Sequence, residues 1–166
     1  MKKITIILAT VILTVCIASS AWSLTITRTY DPSDIFLRAY SSPSYVDWWF
    51  YLTPEFDPSS MYLTDASITL NLRGDGDTNP ETATFRVSTS GLQTWTLTNP
   101  NIDVTLEITT GLASLQDGTG YFRLTAIEGD FWFESARLTA NAVPEPTTLV
   151  LLGLGLLGIA GVRRKK

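Results

Sequence analysis

The chain has 166 residues, a formal charge of −4, one cysteine (Cys16) and no histidine. Between Leu24 and Ala142 there is no lysine, histidine or cysteine, and six arginines against fifteen carboxylates leave a charge of −9. Disulfides, Ser-His or Cys-His nucleophiles and thiolate or imidazole metal sites are excluded there, and the charge argues against DNA, RNA or anionic lipid as a partner.

The first predicted element is a secretory signal peptide over residues 1–23. Met1-Lys2-Lys3 is a positive n-region, and Ile4 to Ala18 is an apolar stretch broken only by Thr5, Thr10 and Thr14. Ala21 and Ser23 suit cleavage before Leu24, and Ser19 with Ala21 suits cleavage before Trp22. Small residues at alternate positions behind an h-region mark a cleaved signal, with an uncleaved anchor as the alternative. Val15 precedes Cys16, and a β-branched residue there argues against lipidation.

Residues 24–142 are predicted to be one extracytoplasmic domain, long enough for a core of its own. Period-2 alternation runs almost throughout, with no helical stripe. Trp48-Trp49-Phe50-Tyr51 comes first. In a strand alternate members face opposite sides, so at least one large ring is expected outside or over an edge. Ala66, Ile68, Leu70 and Leu72 alternate with Ser67, Thr69 and Asn71. The runs Ala83-Phe85-Val87, Ile102-Val104-Leu106-Ile108, Phe122-Leu124-Ala126 and Ala136-Leu138-Ala140 alternate in the same way. Turn residues separate them at Gly74 to Asp77, Asn99 to Asn101, Asp117 to Gly120 and Glu128 to Asp130. Phe131-Trp132-Phe133 and Ala136-Leu138 have opposite parity, which predicts a bulge or bend near Glu134-Ser135. One dry and one wet face per strand predicts an all-β, antiparallel two-sheet sandwich, jelly-roll-like, of about eight strands.

Two ligand sites are candidates in this domain. Asp75, Asp77, Asn79 and Glu81 place oxygen ligands at every second residue, as a calcium loop would. Pro80 and Phe85 or Arg86 occupy the places where an EF-hand needs glycine and an acid, so this is not an EF-hand. The competing reading is an acidic, solvated hairpin loop. Asp117 and Asp130 could complete a site only if their loops lie at the same end. Trp95, Tyr121 and Trp132 are candidates for stacking on sugars from a wet face, against the reading that sandwich cores and rims use aromatics. Some pair of carboxylates at glycosidase spacing is almost inevitable among so many acids, and no motif singles one out. The domain is expected to be non-catalytic.

The C-terminal segment 143–166 has three parts. Val143-Pro144-Glu145-Pro146 is followed by sixteen uncharged residues, 147–162, and then by Arg163-Arg164-Lys165-Lys166. As a helix 147–162 reaches about 24 Å, one turn short of a comfortable membrane span. Snorkelling cations or local thinning can absorb that difference. The cations are expected to stay in the cytoplasm.

This tail resembles the PEP-CTERM protein-sorting signal of Gram-negative bacteria. Lys165 and Lys166 stand where that signal often has arginines, with the charge kept. The resemblance implies a substrate of exosortase, a membrane protease-transpeptidase. The enzyme would recognise Pro144, Glu145 and Pro146, with Arg163 and Arg164 behind the anchor. Removal of the anchor, and association with exopolysaccharide and biofilm matrix, are implied as well. The middle of the chain also loosely resembles the adhesive or lectin-like domains often carried with this tail, which implies a fold and no ligand. The expectation is an inner-membrane-anchored precursor that becomes a cell-surface or matrix protein. A carbohydrate- or calcium-binding adhesin and a secreted glycoside hydrolase are the alternatives.

Overall fold

Threonine-rich alternation leaves the backbone one way to satisfy its N–H and C=O groups, which is pairing between strands. The structure, a computed structural model, describes residues 23–88, 93–99 and 103–145. The expected signal peptide, except Ser23, and the apolar span 147–162 with its basic tail lie outside the described residues. Among the described residues no helix is long and apolar enough to cross a membrane.

Nine strands and one 3-10 turn are found among these residues. They are β1 (Leu24–Tyr30), β2 (Ile35–Arg38), β3 (Tyr45–Tyr51), β4 (Met61–Gly74), β5 (Thr82–Val87), β6 (Gln93–Thr98), β7 (Val104–Ile108), the turn Leu112–Leu115, β8 (Thr119–Glu128) and β9 (Asp130–Pro144). One sheet has the order β1-β9-β4-β7, with β2 also on β9; the other has the order β3-β8-β5-β6. β1 and β2 pair antiparallel with successive parts of β9, from Leu24↔Ala142 to Tyr30↔Ala136 and from Ile35↔Phe133 to Arg38↔Asp130. They act as one interrupted strand. The outermost strand in sequence then pairs with the last, β3 with β8, β4 with β7 and β5 with β6, all antiparallel. A long hairpin rolled up in this way is a jelly roll.

The parity reversal in β9 is present. Phe131 and Phe133 are buried, Glu134 and Ser135 are half-buried, and Ala136, Leu138, Ala140 and Ala142 are buried. Opposite that step lies the break between β1 and β2, with Tyr30 facing Ala136 and Ile35 facing Phe133. β4 makes a similar change between Leu63 and Ala66, through exposed Thr64 and Asp65. The strands β1 and β6 are less visible in sequence, because only Ile26 in one and Leu97 in the other are buried.

Aromatic rings fill the space between the sheets. Trp48 lies at their centre, with ring centroids 5.2 Å from Phe133, 5.6 Å from Tyr30 and 6.0 Å from both Phe85 and Phe122. Gly120 sits on the inner face of β8, opposite Phe50. A Cβ there would meet Leu115 Cδ2 at 2.6 Å and Phe122 Cε2 at 2.7 Å, and both side chains are fully buried. Gly120→Ala is therefore expected to lose about 1–3 kcal/mol by overpacking. A drop in thermal midpoint checks this, and an unchanged midpoint would show that the neighbours yield freely.

Candidate functional site

Three regions carry the predicted residues. The first is the C-terminal end of the sandwich. Val143 is half-buried, whereas Pro144, which ends β9, and Glu145 are exposed. The last β1–β9 pair is Leu24↔Ala142, so the proline-flanked acid starts where that ladder stops. Proline has no N–H to offer a ladder and disfavours a helix before it. Pro146, Arg163 and Arg164 lie outside the described residues.

The second region is the loop between β4 and β5. Asp75 accepts the Asp77 N–H at 2.9 Å, and Asp77 accepts the Asn79 N–H at 2.8 Å. The Asn79 amide also donates to Asp77. These local turns curl the loop so that carboxylate oxygens of Asp75, Asp77 and Glu81 come within 4.8 Å of one another. Glu81 is 7% exposed, the one buried charged residue among those described. Asn99 clamps its backbone, accepting from Glu81 N at 3.3 Å and donating its own N–H to Glu81 O at 2.8 Å. Gly129 completes the approach. It has φ +68°, and a Cβ there would lie 2.8 Å from Pro80 O, so only glycine lets the β8–β9 corner pack this closely.

That corner brings Asp130 to the cluster. Burial raises the Asp130 carboxyl above its ordinary value, and Asp75 and Asp77 raise it further. Burial also raises Glu81; the Asp75 backbone N–H opposes this, and Asp75, Asp77 and Asp130 add to it by repulsion. Asp117 is not part of the group. It precedes β8, accepting from Thr119 N at 2.8 Å, whereas Asp130 follows the far end of the same strand. The predicted calcium residues are thus gathered, with Asn79 hydrogen-bonded to Asp77. Hard oxygen donors of this kind suit calcium or magnesium.

The third region is aromatic, and here the structure corrects one expectation. Trp95 does not lie on a wet face. It stands opposite fully buried Phe85 in register, with ring centroids 5.4 Å apart, and packs against the core. Its neighbours Thr94 and Thr96 take the outward positions, because Leu97 fixes the parity of β6. Trp132 does point outward, but on the other sheet, with Phe36 at 4.7 Å and the Arg73 guanidinium 5.2 Å from its ring. Arg73 is in turn held by Glu134 at 2.7 Å and Asp34 at 3.2 Å. Tyr121 faces outward from β8. The three predicted sugar-stacking residues therefore share no surface.

Tyr121 instead belongs to a group that sequence reasoning named only in part. Tyr45, Asp47, Trp49 and Tyr51 project outward from β3, between buried Val46, Trp48 and Phe50. Trp49 lies opposite Tyr121 in register, with ring centroids 5.0 Å apart. Arg123, beside Tyr121 on β8, binds Asp47 through both Nε and Nη2 at 2.5 Å. Its guanidinium lies 4.3 Å from the Tyr45 ring centroid. The Arg123 hydrogen bond holds the Asp47 carboxyl below its ordinary value against the opposing effect of burial, and Tyr121 lowers it further. The available signal was the period-2 set Tyr45, Asp47, Trp49, Tyr51. It is masked in sequence because the inward set of β3 is equally apolar.

The described residues thus form a two-sheet β-sandwich that ends in an exposed proline-acid dipeptide. Residues 142–165 match the PEP-CTERM protein-sorting motif, so the chain carries that sorting signal. Such a signal implies export, membrane association at the tail, recognition by exosortase and processing at the C-terminus. No curated protein matches the chain. Among solved structures it is similar to the BFDV capsid protein, at 10% identity over 75% of this chain and 99% of that one, with a TM-score of 0.43. It is also similar to a carbohydrate-binding module from glycoside hydrolase family 9 (Cel9A) of Ruminococcus flavefaciens FD-1. That match has 12% identity over 69% of this chain and 97% of that one, with a TM-score of 0.42. Turnip yellow mosaic virus matches at 9% identity over 77% and 98%, with a TM-score of 0.40. At that level the likenesses carry no functional argument, and the jelly-roll assignment rests on the ladders above.

Proposed function

We propose that this is a non-catalytic surface or matrix protein of a Gram-negative bacterium. Leu149 to Val162 anchors it transiently in the inner membrane until the sorting enzyme acts at Pro144-Glu145-Pro146. One observation carries this reading: the exposed Pro144-Glu145 lies just beyond the last β1–β9 pair. A cut there removes the anchor and leaves the β1–β9 ladder whole. A protease groove needs extended, unpaired backbone, and two prolines around one acid hold it so.

Mass spectrometry of the protein from cells and from medium tests the proposal. The released form is expected to lack Arg163 to Lys166, and Glu145→Ala is expected to accumulate uncut in the membrane. Recovery of released protein that keeps its terminal cations would overturn it.

A calcium-dependent adhesin is the second reading, favoured by the burial of Glu81 against other carboxylates. No arginine or lysine is ion-paired to Asp75, Asp77, Glu81 or Asp130 among the described residues. Arg38, opposite Asp130 in register, opposes the rise at Asp130 without forming an ion pair, and a divalent cation would supply further positive charge.

A further inference from the structure

We propose that the outer face formed by β3, β8 and β5 binds an acidic polysaccharide, one whose sugars carry carboxylates. This deepens the surface-protein reading and rests on it only for the biological setting.

Three observations lead there. The first is a concentration of rings that the core does not need. Val46, Trp48 and Phe50 already supply the inward set of β3. Yet Tyr45, Trp49 and Tyr51 stand 49%, 49% and 59% exposed on its other side. Alternate positions on a strand set Trp49 and Tyr51 about 7 Å apart, with Tyr45 about 14 Å from Trp49 beyond Asp47. A polymer laid along β3 meets Trp49 and Tyr51 in succession and Tyr45 past Asp47, with Tyr121 tilted at 58° against Trp49. Exposed patches of this kind mark interaction sites.

The second observation is the charge. The domain carries −9. With exposed Glu128 only at the far end of β8, this face has two arginines against one acid beside the rings. Its outward positions hold Arg86 and Arg123, which lie in register on β5 and β8. Asp47 is the one acid among the outward residues of β3, of β5 and of β8 from Thr119 to Ile127. Arg123 takes both oxygens of Asp47.

The third observation is that Arg86 is left over. Its Nε is buried with no acceptor, and none of the ion pairs among the described residues includes it. The nearby carboxylate of Asp47, which Arg86 helps to lower, is already held by Arg123. Arg86 therefore keeps a guanidinium with no carboxylate at ion-pair distance beside exposed rings, and that suits an anion attached to an apolar face. A uronic acid residue offers both. Threonine hydroxyls at Thr84, Thr119 and Thr125 surround the rings and match the hydroxyls of a sugar chain better than they match a dry protein partner. A second copy docked face to face would set Arg86 and Arg123 against their own counterparts, which disfavours self-pairing.

Affinity gel electrophoresis of the full chain, kept in a polyoxyethylene detergent, tests this with polygalacturonate and alginate as acidic probes and hydroxyethyl cellulose as a neutral one. The acidic polymers are expected to retard the protein, and added salt is expected to weaken them. Trp49→Ala is expected to weaken binding about tenfold. Arg86→Gln is expected to weaken acidic polymers by about tenfold while sparing the neutral one, and to flatten the salt dependence. Trp132→Ala, on the opposite sheet, is expected to change nothing. If Trp49→Ala lowers the thermal midpoint, Tyr51→Ala takes its place.

Absence of retardation by both acidic polymers overturns the proposal, as does full binding by the ring variants. A dimer that Trp49→Ala converts to monomer would assign the face to a second copy instead. Binding is read on purified protein, so its failure leaves the C-terminal processing result standing, and failed processing leaves binding unaffected.

Discussion

Trp48→Ala is expected to remove about 3–5 kcal/mol of folding stability, out of the roughly 5–15 kcal/mol that a domain of this size has. The indole is 3% exposed and is shared by both sheets: Phe85 and Phe122 reach it from its own sheet, Phe133 from the other, and Tyr30 from β1. Deleting it strips four rings of a stacking partner and leaves a cavity at the seam, where the two sheets cannot close without shifting their ladders. Trp48→Phe is expected to lose far less. Its indole Nε1 is buried without a hydrogen-bond partner among the described residues, so phenylalanine removes an unpaired donor while keeping most of the ring. Urea unfolding followed by circular dichroism separates the two variants. Equal losses would show that volume alone matters at this position.

Glu81→Gln is expected to stabilise the calcium-free protein at neutral pH and to abolish stabilisation by calcium. The sign follows from the direction of the shift. Glu81 has its folded pKa raised above the ordinary 4.5, by burial first and then by Asp75, Asp77 and Asp130, against the Asp75 N–H. A raised carboxyl contributes stability below its unfolded value and loses that contribution as pH rises through the folded one. Wild type and variant should therefore unfold alike in acid and diverge towards neutrality in chelator. Glutamine keeps an amide oxygen to accept the Asp75 N–H. Asp47 moves the opposite way: Arg123 lowers it, so its contribution persists at neutral pH and is lost in acid as pH falls through its folded value.

Calcium should reverse the order of the two proteins. At a hundredfold excess over Kd it adds about 2.7 kcal/mol, or about 10 °C for a domain of this length. Thermal scans of both proteins in chelator and in millimolar calcium read the whole set. A wild-type midpoint that ignores calcium removes the metal, and equal midpoints in chelator remove the repulsion.

The acid cluster shows how local and distant information combine. The spacing Asp75, Asp77, Asn79, Glu81 is written in the chain, and local turns at Asp77 and Asn79 suffice to curl it. Nothing in the loop announces that Glu81 is buried or that Asp130 joins it. Both depend on Gly129, which turns the chain from one sheet to the other beneath Pro80. The aromatic residues show the reverse. Trp95, Tyr121 and Trp132 look alike in sequence, and the structure packs one, half-buried, against the core and sends the other two onto opposite faces.

By itself the sequence determined the class of fold, the parity step in β9 and the sorting signal. Alternation sets which side chains a strand sends to each face, and the signal is read from consecutive residues in an order that needs no partner segment. Only the tertiary structure decided which strands are neighbours, and therefore which faces share a surface. Those pairings join residues as distant as Asp47 and Arg123, and a period of two repeats in every strand, so it carries no address for its partner.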